Sequence, residues 1–242
     1  KLDFAMSLTF YRKSIDEYTI PEFTESEDIE LENLYHPLVK NPIKNSISIK
    51  NNIIFTGSNA SGKSTFIKGI ALNCILAQSL NTALCSKYKC KFSKVVTSMA
   101  IRDNILLGES YFIAEIKSLK RLLDSLNGEI RVLAFIDEIL KGTNTLERIS
   151  SSASILKYAK NTKAKLFVAT HDIELTEMIT DYENFHFSEI VTDDEVTFDY
   201  KLKLGPSKTR NALKLLKTFD FENEVICLAN SIYNDFTKKE KR

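Results

Sequence analysis

Residues 53–65 decide the fold, and they read Ile53-Ile54-Phe55-Thr56-Gly57-Ser58-Asn59-Ala60-Ser61-Gly62-Lys63-Ser64-Thr65. The pattern G-x-x-x-x-G-K-[ST] is matched in full from Gly57 to Ser64. An apolar strand precedes the glycines and apolar residues at helical spacing follow them, which is the context that this phosphate-binding pattern requires. The alternative, a glycine turn that happens to precede a lysine, leaves that context unexplained.

The chemistry of this stretch suits a magnesium nucleotide. Backbone N–H groups of such a loop and of the following helix N-terminus surround phosphates. Lys63 would place a positive charge on the β- and γ-phosphate oxygens, and the Ser64 hydroxyl would ligate Mg²⁺. We therefore predict ATP and Mg²⁺ as cofactors, with the nucleotide held by Gly57, Ser58, Asn59, Ala60, Ser61, Gly62, Lys63, Ser64 and Thr65.

Two carboxylates follow a second apolar strand, which ends at Asp137 and Glu138. Acids commonly end strands, but in a parallel sheet the carboxyl ends of strands lie where ligands bind. Behind a complete phosphate loop, we expect Asp137 to hold the Mg²⁺ shell and Glu138 to polarise the attacking water. His171 follows a third apolar strand and is predicted to contact the γ-phosphate, whereas His36 and His186 are interpreted as structural.

The remaining pattern predicts an α/β fold with a mainly parallel sheet flanked by helices. Short apolar runs at 131–137 and 165–170 are typical of strands buried on both faces. Residues 1–20 read as a helical lead-in that Pro21 ends, and 185–191 with 196–204 read as a hairpin. The tail from Asn211 has helical spacing.

Composition limits the class of protein further. Thirty-three basic residues against thirty-two acidic ones give no electrostatic footprint for wrapping nucleic acid. The four cysteines contain no C-x-x-C pair, which favours reduced thiols. No apolar run approaches the roughly 18 residues of a membrane span and no signal peptide precedes the first strand, so we expect a cytoplasmic location.

The order of these motifs resembles the ATPase domain of MutS-type DNA mismatch-repair proteins over nearly the whole chain. Tyr35-His36-Pro37-Leu38 is similar to that family's Arg-His-Pro lead-in, and Gly108-Glu109-Ser110-Tyr111-Phe112 to its Gly-Arg-Ser-Thr-Phe segment. The stretch from Asp137 to Thr145 parallels Asp-Glu-Ile-Gly-Arg-Gly-Thr-Ser-Thr, and Ala169-Thr170-His171 matches Ala-Thr-His.

This resemblance implies an ABC-type P-loop NTPase that forms a homodimer through its ATPase face. Each ATP would lie between one subunit's phosphate loop and the other's signature serine, Ser110, which would act in trans. The loop after Glu138 would cross to the partner subunit, with Asn144 at the nucleotide. Mismatched DNA would be bound through domains absent from this chain, and ATP-driven dimerisation would drive conformational changes of a DNA clamp.

The chain also departs from the family pattern. Glu109 and Tyr111 replace Arg and Thr beside the signature serine, and Lys208-Thr209-Arg210-Asn211-Ala212 stands where the family carries Ser-Tyr-Gly. These differences indicate a divergent branch. The aromatic residue that stacks on adenine has no clear counterpart, and Ile43 is the candidate for an apolar contact to the base.

Two functional hypotheses remain open. One is the ATP-hydrolysing domain of a MutS-like mismatch-repair protein, with Glu138 as base. The other is an ABC-like, nucleotide-controlled dimerisation switch without a mismatch-repair role. In either case we expect a lead-in or connector over 1–34, an ATPase domain over 35–206, and a helical C-terminal segment over 207–242 that serves in dimerisation.

Overall fold

The computed structural model describes residues 1–58, 60–99, 111–191, 196–207, 216 and 221–240. Its described helices are α1 (Leu2–Lys13), α2 (Lys63–Leu80), α3 (Tyr111–Ser125), α4 (Thr145–Lys160), α5 (Glu174–Met178) and α6 (Asn223–Glu240). Its described strands are β1 (Glu22–Phe23), β2 (Ile29–Leu34), β3 (Asn45–Ile49), β4 (Ile53–Thr56), β5 (Lys87–Cys90), β6 (Lys94–Ser98), β7 (Val132–Asp137), β8 (Lys165–Ala169), β9 (Glu183–His186), β10 (Glu189–Val191), β11 (Val196–Phe198) and β12 (Lys203–Leu204).

The largest sheet has six strands in the order β12-β9-β4-β8-β7-β6. Every neighbouring pair from β9 to β6 is parallel, and only the pairing of β12 with β9 is antiparallel. The predicted α/β fold with a mainly parallel sheet is therefore confirmed. Because β4, β7 and β8 run in one direction, the three loops that follow them leave the sheet at the same edge.

Alternating side chains of the central strands enter two separate cores. One core, on the side of α2, takes Ile53, Phe55, Leu133, Phe135, Phe167 and Ala169. The other, on the side of α3, α4 and α5, takes Ile54, Val132, Ala134, Ile136, Leu166 and Val168. This period of two explains why the strands are continuous apolar runs, since both faces of the sheet are covered.

Helix α2 packs between the large sheet and a second sheet of four strands, ordered β1-β5-β2-β3. Its residues Ile67, Ile70 and Cys74 share one core with Ile29 and Tyr88 of the smaller sheet. A helix that is covered on two sides needs few charged residues, and α2 carries only Lys63 and Lys68.

Two parts of the sequence prediction need correction or refinement. The helix predicted over 1–20 ends at Lys13, and residues 22–34 contain the strands β1 and β2, which were not predicted. The alternation Ile29-Glu30-Leu31 was the missed strand signal, because it buries the apolar side chains and leaves the acid between them only half-buried. The predicted hairpin is confirmed, but it is interrupted: β10 pairs with β11, and β9 pairs with β12.

No helix in the described part of the chain is both long and apolar enough to cross a membrane.

The buried side chain of Asn73 ties α2 to the segments beside it. Its amide donates to the Tyr35 carbonyl (3.1 Å) and to the Gly69 carbonyl (2.9 Å), and its oxygen accepts from the Leu84 N–H (2.5 Å). A fully buried amide with three partners fixes the position of the helix that begins at the phosphate loop.

We expect Asn73→Ala to lower the free energy of unfolding by about 1–3 kcal/mol, because it removes the partner of buried backbone groups. Urea unfolding followed by circular dichroism measures this change. Ser79→Ala is the matched control, since that exposed hydroxyl bonds only the Ile75 carbonyl of its own helix and its loss should cost less than about 0.5 kcal/mol. Equal effects of the two substitutions would contradict the bridging role of Asn73.

Candidate functional site

The loop between β4 and α2 has backbone conformations that favour glycine. Gly57 has φ 143° and Gly62 has φ 103°. A Cβ on Gly57 would lie 2.5 Å from the Phe187 carbonyl oxygen, so the backbone just after β9 also excludes a side chain there. Ala60 adopts φ 66°, in the left-handed region, without being glycine. Such positions cost about 1–3 kcal/mol each and persist where surrounding structure enforces them.

Lys63 is buried inside this loop, with 4% of its surface exposed. Its Nζ donates to the carbonyl oxygens of Gly57 (2.6 Å) and Ser58 (2.8 Å). Burial lowers the pKa of the ammonium, and the carboxylates of Glu138 and Asp137 oppose that shift. An ammonium has three donors, so one N–H remains for an anionic ligand.

Ser64 and Asp137 meet although 73 residues separate them: the Ser64 hydroxyl donates to Asp137 Oδ1 at 2.7 Å. The Lys68 ammonium lies 3.8 Å from Asp137 Oδ2. One hydroxyl and one carboxylate are hard oxygen donors that fit Mg²⁺, which usually takes few protein ligands and completes its shell with phosphate and water. Within the described ranges no group of three His, Cys, Asp or Glu side chains could hold a metal by itself.

Glu138 sits at a strained turn directly after β7, with φ 63°. Its N–H donates to the Ala169 carbonyl (2.9 Å), which fixes the turn against β8. Its carboxylate Oε2 lies 2.8 Å from His171 Nδ1. This hydrogen bond raises the pKa of His171, in opposition to the smaller effect of burial.

A second ion pair lies next to His171, on the side of its Nε2 atom. Arg148 of α4 donates from Nε and Nη2 to the two carboxylate oxygens of Asp172, at 2.8 and 2.7 Å. Asp172 Oδ1 is also 3.7 Å from His171 Nε2. His171 therefore lies between two carboxylates, and Glu138 is held on the side of the phosphate loop.

The phosphate loop, Asp137 and Glu138 border a cavity of about 650 Å³. Its polar wall contains the phosphate loop with Asp137 and Glu138, and its apolar wall contains Val39, Pro42, Ile43 and Tyr200. His36 also lines the cavity, in addition to the structural hydrogen bond that its Nδ1 accepts from Leu38 N–H. The Tyr200 ring lies against the loop, since a Cβ on Gly62 would be 3.2 Å from it.

Other predicted site residues lie elsewhere. Asn144 caps α4, where its side chain accepts from the Glu147 N–H at 3.0 Å, and it does not line the described cavity. His171 contacts Glu138 but does not line the described cavity either. Asn59, Ser110 and the Lys208–Ala212 segment lie outside the described residues, so their predicted roles stay predictions.

Sequence reasoning missed Tyr200, Glu115 and Lys141, which also line the cavity. Tyr200 follows a hairpin far along the chain and carries no motif. Glu115 could have been noticed in the sequence, because it is an acid on the apolar stripe of α3, between Phe112 and Leu119.

A strand, glycine loop and helix on a mainly parallel sheet, with a carboxylate beside the loop from the next strand but one, define a P-loop NTPase fold. Residues 53–237 match the family MutS domain V. The match covers well over half of the chain, and the chain belongs to this family.

Relatives named DNA mismatch repair protein MutS agree with this assignment. The protein from Streptococcus gordonii is 28% identical over 236 residues, which cover 92% of this chain and 28% of that protein. The one from Fusobacterium nucleatum is 31% identical over 230 residues, covering 89% of this chain and 25% of that protein. The one from Leptospira interrogans is 29% identical over 256 residues, which cover 99% of this chain and 30% of that protein. The chain thus spans less than a third of the length of these relatives.

We expect a proton NMR titration to give His171 a pKa above the ordinary value of about 6.5, because Glu138 stabilises the imidazolium. The contact then stabilises the fold fully below pH 6.5 or so, and this contribution is lost as pH rises through the raised pKa. Glu138→Gln should lower the His171 pKa, whereas Glu177→Gln, an equal charge change on α5, should not. An unchanged His171 pKa in Glu138→Gln would show that the hydrogen bond between these two side chains does not raise it.

Proposed function

We propose that this chain is the ATP-binding and ATP-hydrolysing domain of a MutS-like protein. The contact of Ser64 with Asp137, within a phosphate loop that also holds Lys63, is the observation that carries this proposal. It joins the two oxygen donors expected around a nucleotide-bound Mg²⁺. The cavity volume of about 650 Å³ is within the usual range for small-molecule sites.

The phosphate end of the cavity assigns roles to its polar groups. The loop N–H groups and the N-terminus of α2 bind the phosphate oxygens. Lys63 contributes its remaining N–H donor, and its buried ammonium gives a larger electrostatic stabilisation than an exposed one would. Ser64 and Asp137 hold Mg²⁺, which when bound neutralises phosphate charge.

Glu138 orients and polarises the attacking water as general base. A base must be held within hydrogen-bond reach of the proton that it accepts. The turn at φ 63° and the contact with His171 support that role, because they restrict where the carboxylate can point. We propose that His171 positions Glu138, in addition to the predicted γ-phosphate contact.

The apolar wall of the cavity suits the nucleoside. Tyr200 offers an aromatic face and Ile43 an aliphatic side chain, both suitable for packing against the flat ring of adenine. Tyr200 is held in place, since its backbone carbonyl accepts from Asn45 Nδ2 at 2.9 Å and its ring stacks on Phe198.

A second copy of the chain would complete the site with Ser110 in trans. In this proposal the chain has a lead-in or connector over 1–34, an ATPase domain over 35–206, and a C-terminal helical segment over 207–242. Mismatch recognition would belong to domains outside this chain, by analogy with the relatives.

Glu138→Gln separates hydrolysis from binding. The amide keeps the shape of the side chain but is no base, and a general base typically contributes about 10²–10⁴-fold to rate. We expect the rate of phosphate release to fall by that factor, the affinity for Mg·ATP to persist, and an ATP-bound dimer to accumulate in size-exclusion chromatography.

Glu177→Gln serves as the control and should hydrolyse ATP at the wild-type rate. If Glu138→Gln hydrolyses as fast as wild type, Glu138 has no part in the reaction. Tight ATP binding and dimerisation with no hydrolysis by wild type would instead favour the ABC-like switch.

A further inference from the structure

Glu115 is a carboxylate buried between α3 and the loop that follows β7. Only 1% of its surface is exposed. Its Oε1 accepts a hydrogen bond from the Lys141 backbone N–H at 3.1 Å, and its Oε2 has no hydrogen-bond partner among the described residues. Both residues line the cavity that also contains Asp137 and Glu138.

The loop that Glu115 holds is conformationally demanding. Glu138 and Leu140 both have positive φ, at 63° and 54°. Left-handed conformations in residues other than glycine need support from surrounding contacts. Lys141 comes directly after this strained pair, so a hydrogen bond to its N–H constrains the turn from its far end.

A second contact joins the same two elements. A Cβ on Gly142 would lie 3.3 Å from Phe112 Cβ, so the loop backbone approaches α3 closely one residue after Lys141. Phe112 and Glu115 are three residues apart and therefore lie on the same face of α3. Helix and loop are thus held together by one apolar contact and one carboxylate.

Packing alone does not account for a polar side chain at this position. Burying an ionised carboxylate is costly unless several hydrogen bonds compensate it, and Glu115 has one described donor. An apolar residue would fit the stripe of α3 at lower cost.

We propose that Glu115 is a positioning residue that holds the loop 138–144 so that the Glu138 carboxylate is set for hydrolysis. Glu115 itself touches neither water nor phosphate in this scheme. It ties α3, the helix that directly follows Ser110 in sequence, to the turn that carries the base. This inference rests on the proposed ATPase function.

The test compares substitutions that differ in one hydrogen-bond acceptor. Glu115→Met fills a similar volume without an acceptor, whereas Glu115→Gln retains an oxygen for the Lys141 N–H. We expect Glu115→Met to lower kcat about 10- to 100-fold, the range for a displaced catalytic group, with the Kd for Mg·ATP changed less than about threefold. Glu115→Gln should keep kcat near wild type. Ser118→Ala, a buried change on the same helix away from the cavity, should have no effect.

Amide hydrogen exchange at Lys141, followed by NMR without nucleotide, gives a readout independent of ATP. Exchange should be faster in Glu115→Met than in wild type or Glu115→Gln. Equal exchange rates, or equal kcat values with Met and Gln, would overturn the proposal. If Glu115→Met does not fold, Glu115→Asp, whose acceptor is withdrawn by one methylene, takes its place. No hydrolysis by wild type would refute the ATPase function itself, while the exchange rates would still decide whether Glu115 holds the loop.

Discussion

The parallel register of β4, β8 and β7 is the constraint on which the site depends. Phe55 of β4 and Asp137 of β7 both lie opposite Ala169 of β8. The three strands therefore end at the same level, and the residues that follow them emerge side by side. This alignment brings Ser64 to Asp137 and Glu138 to His171, although these residues are far apart in sequence.

The site concentrates features that a fold selected for stability alone would avoid. Lys63 is a buried ammonium, Glu115 is a buried carboxylate, and Ala60 and Glu138 adopt left-handed conformations. Each costs free energy, and the two apolar cores on either face of the sheet supply the stabilisation that maintains them. Such clustering is typical of sites where ligand binding completes the interactions.

Parts of the site next to strand ends were predictable from sequence. A glycine loop after β4 and acids after β7 have positions fixed by covalent connection, so the motif and the apolar runs were sufficient to predict them. The same holds for His171 after β8. The continuous apolar runs likewise predicted strands that are buried on both faces.

Parts that depend on tertiary contacts were not predictable. Tyr200 lies between β11 and β12, and it comes close to the loop because β12 pairs with β9, the neighbour of β4. Lys141 meets Glu115 through its backbone, which has no sequence signature. The strands β1 and β2 were not predicted, because they lie in an acidic stretch in which the alternation of apolar and polar residues is short. Ser110 and Asn144 are assigned to the nucleotide by the resemblance alone, and their roles stay predictions.

Thermal unfolding with and without Mg·ATP tests the central claim, that the loop around Lys63 binds nucleotide, most directly. A ligand at 100 times its Kd that binds only the folded state adds about 2.7 kcal/mol. For a chain of this size we predict a rise in Tm of roughly 5–10 °C for wild type and for Lys157→Ala, an exposed lysine on α4, and none for Lys63→Ala. An equal rise in Lys63→Ala would contradict the account.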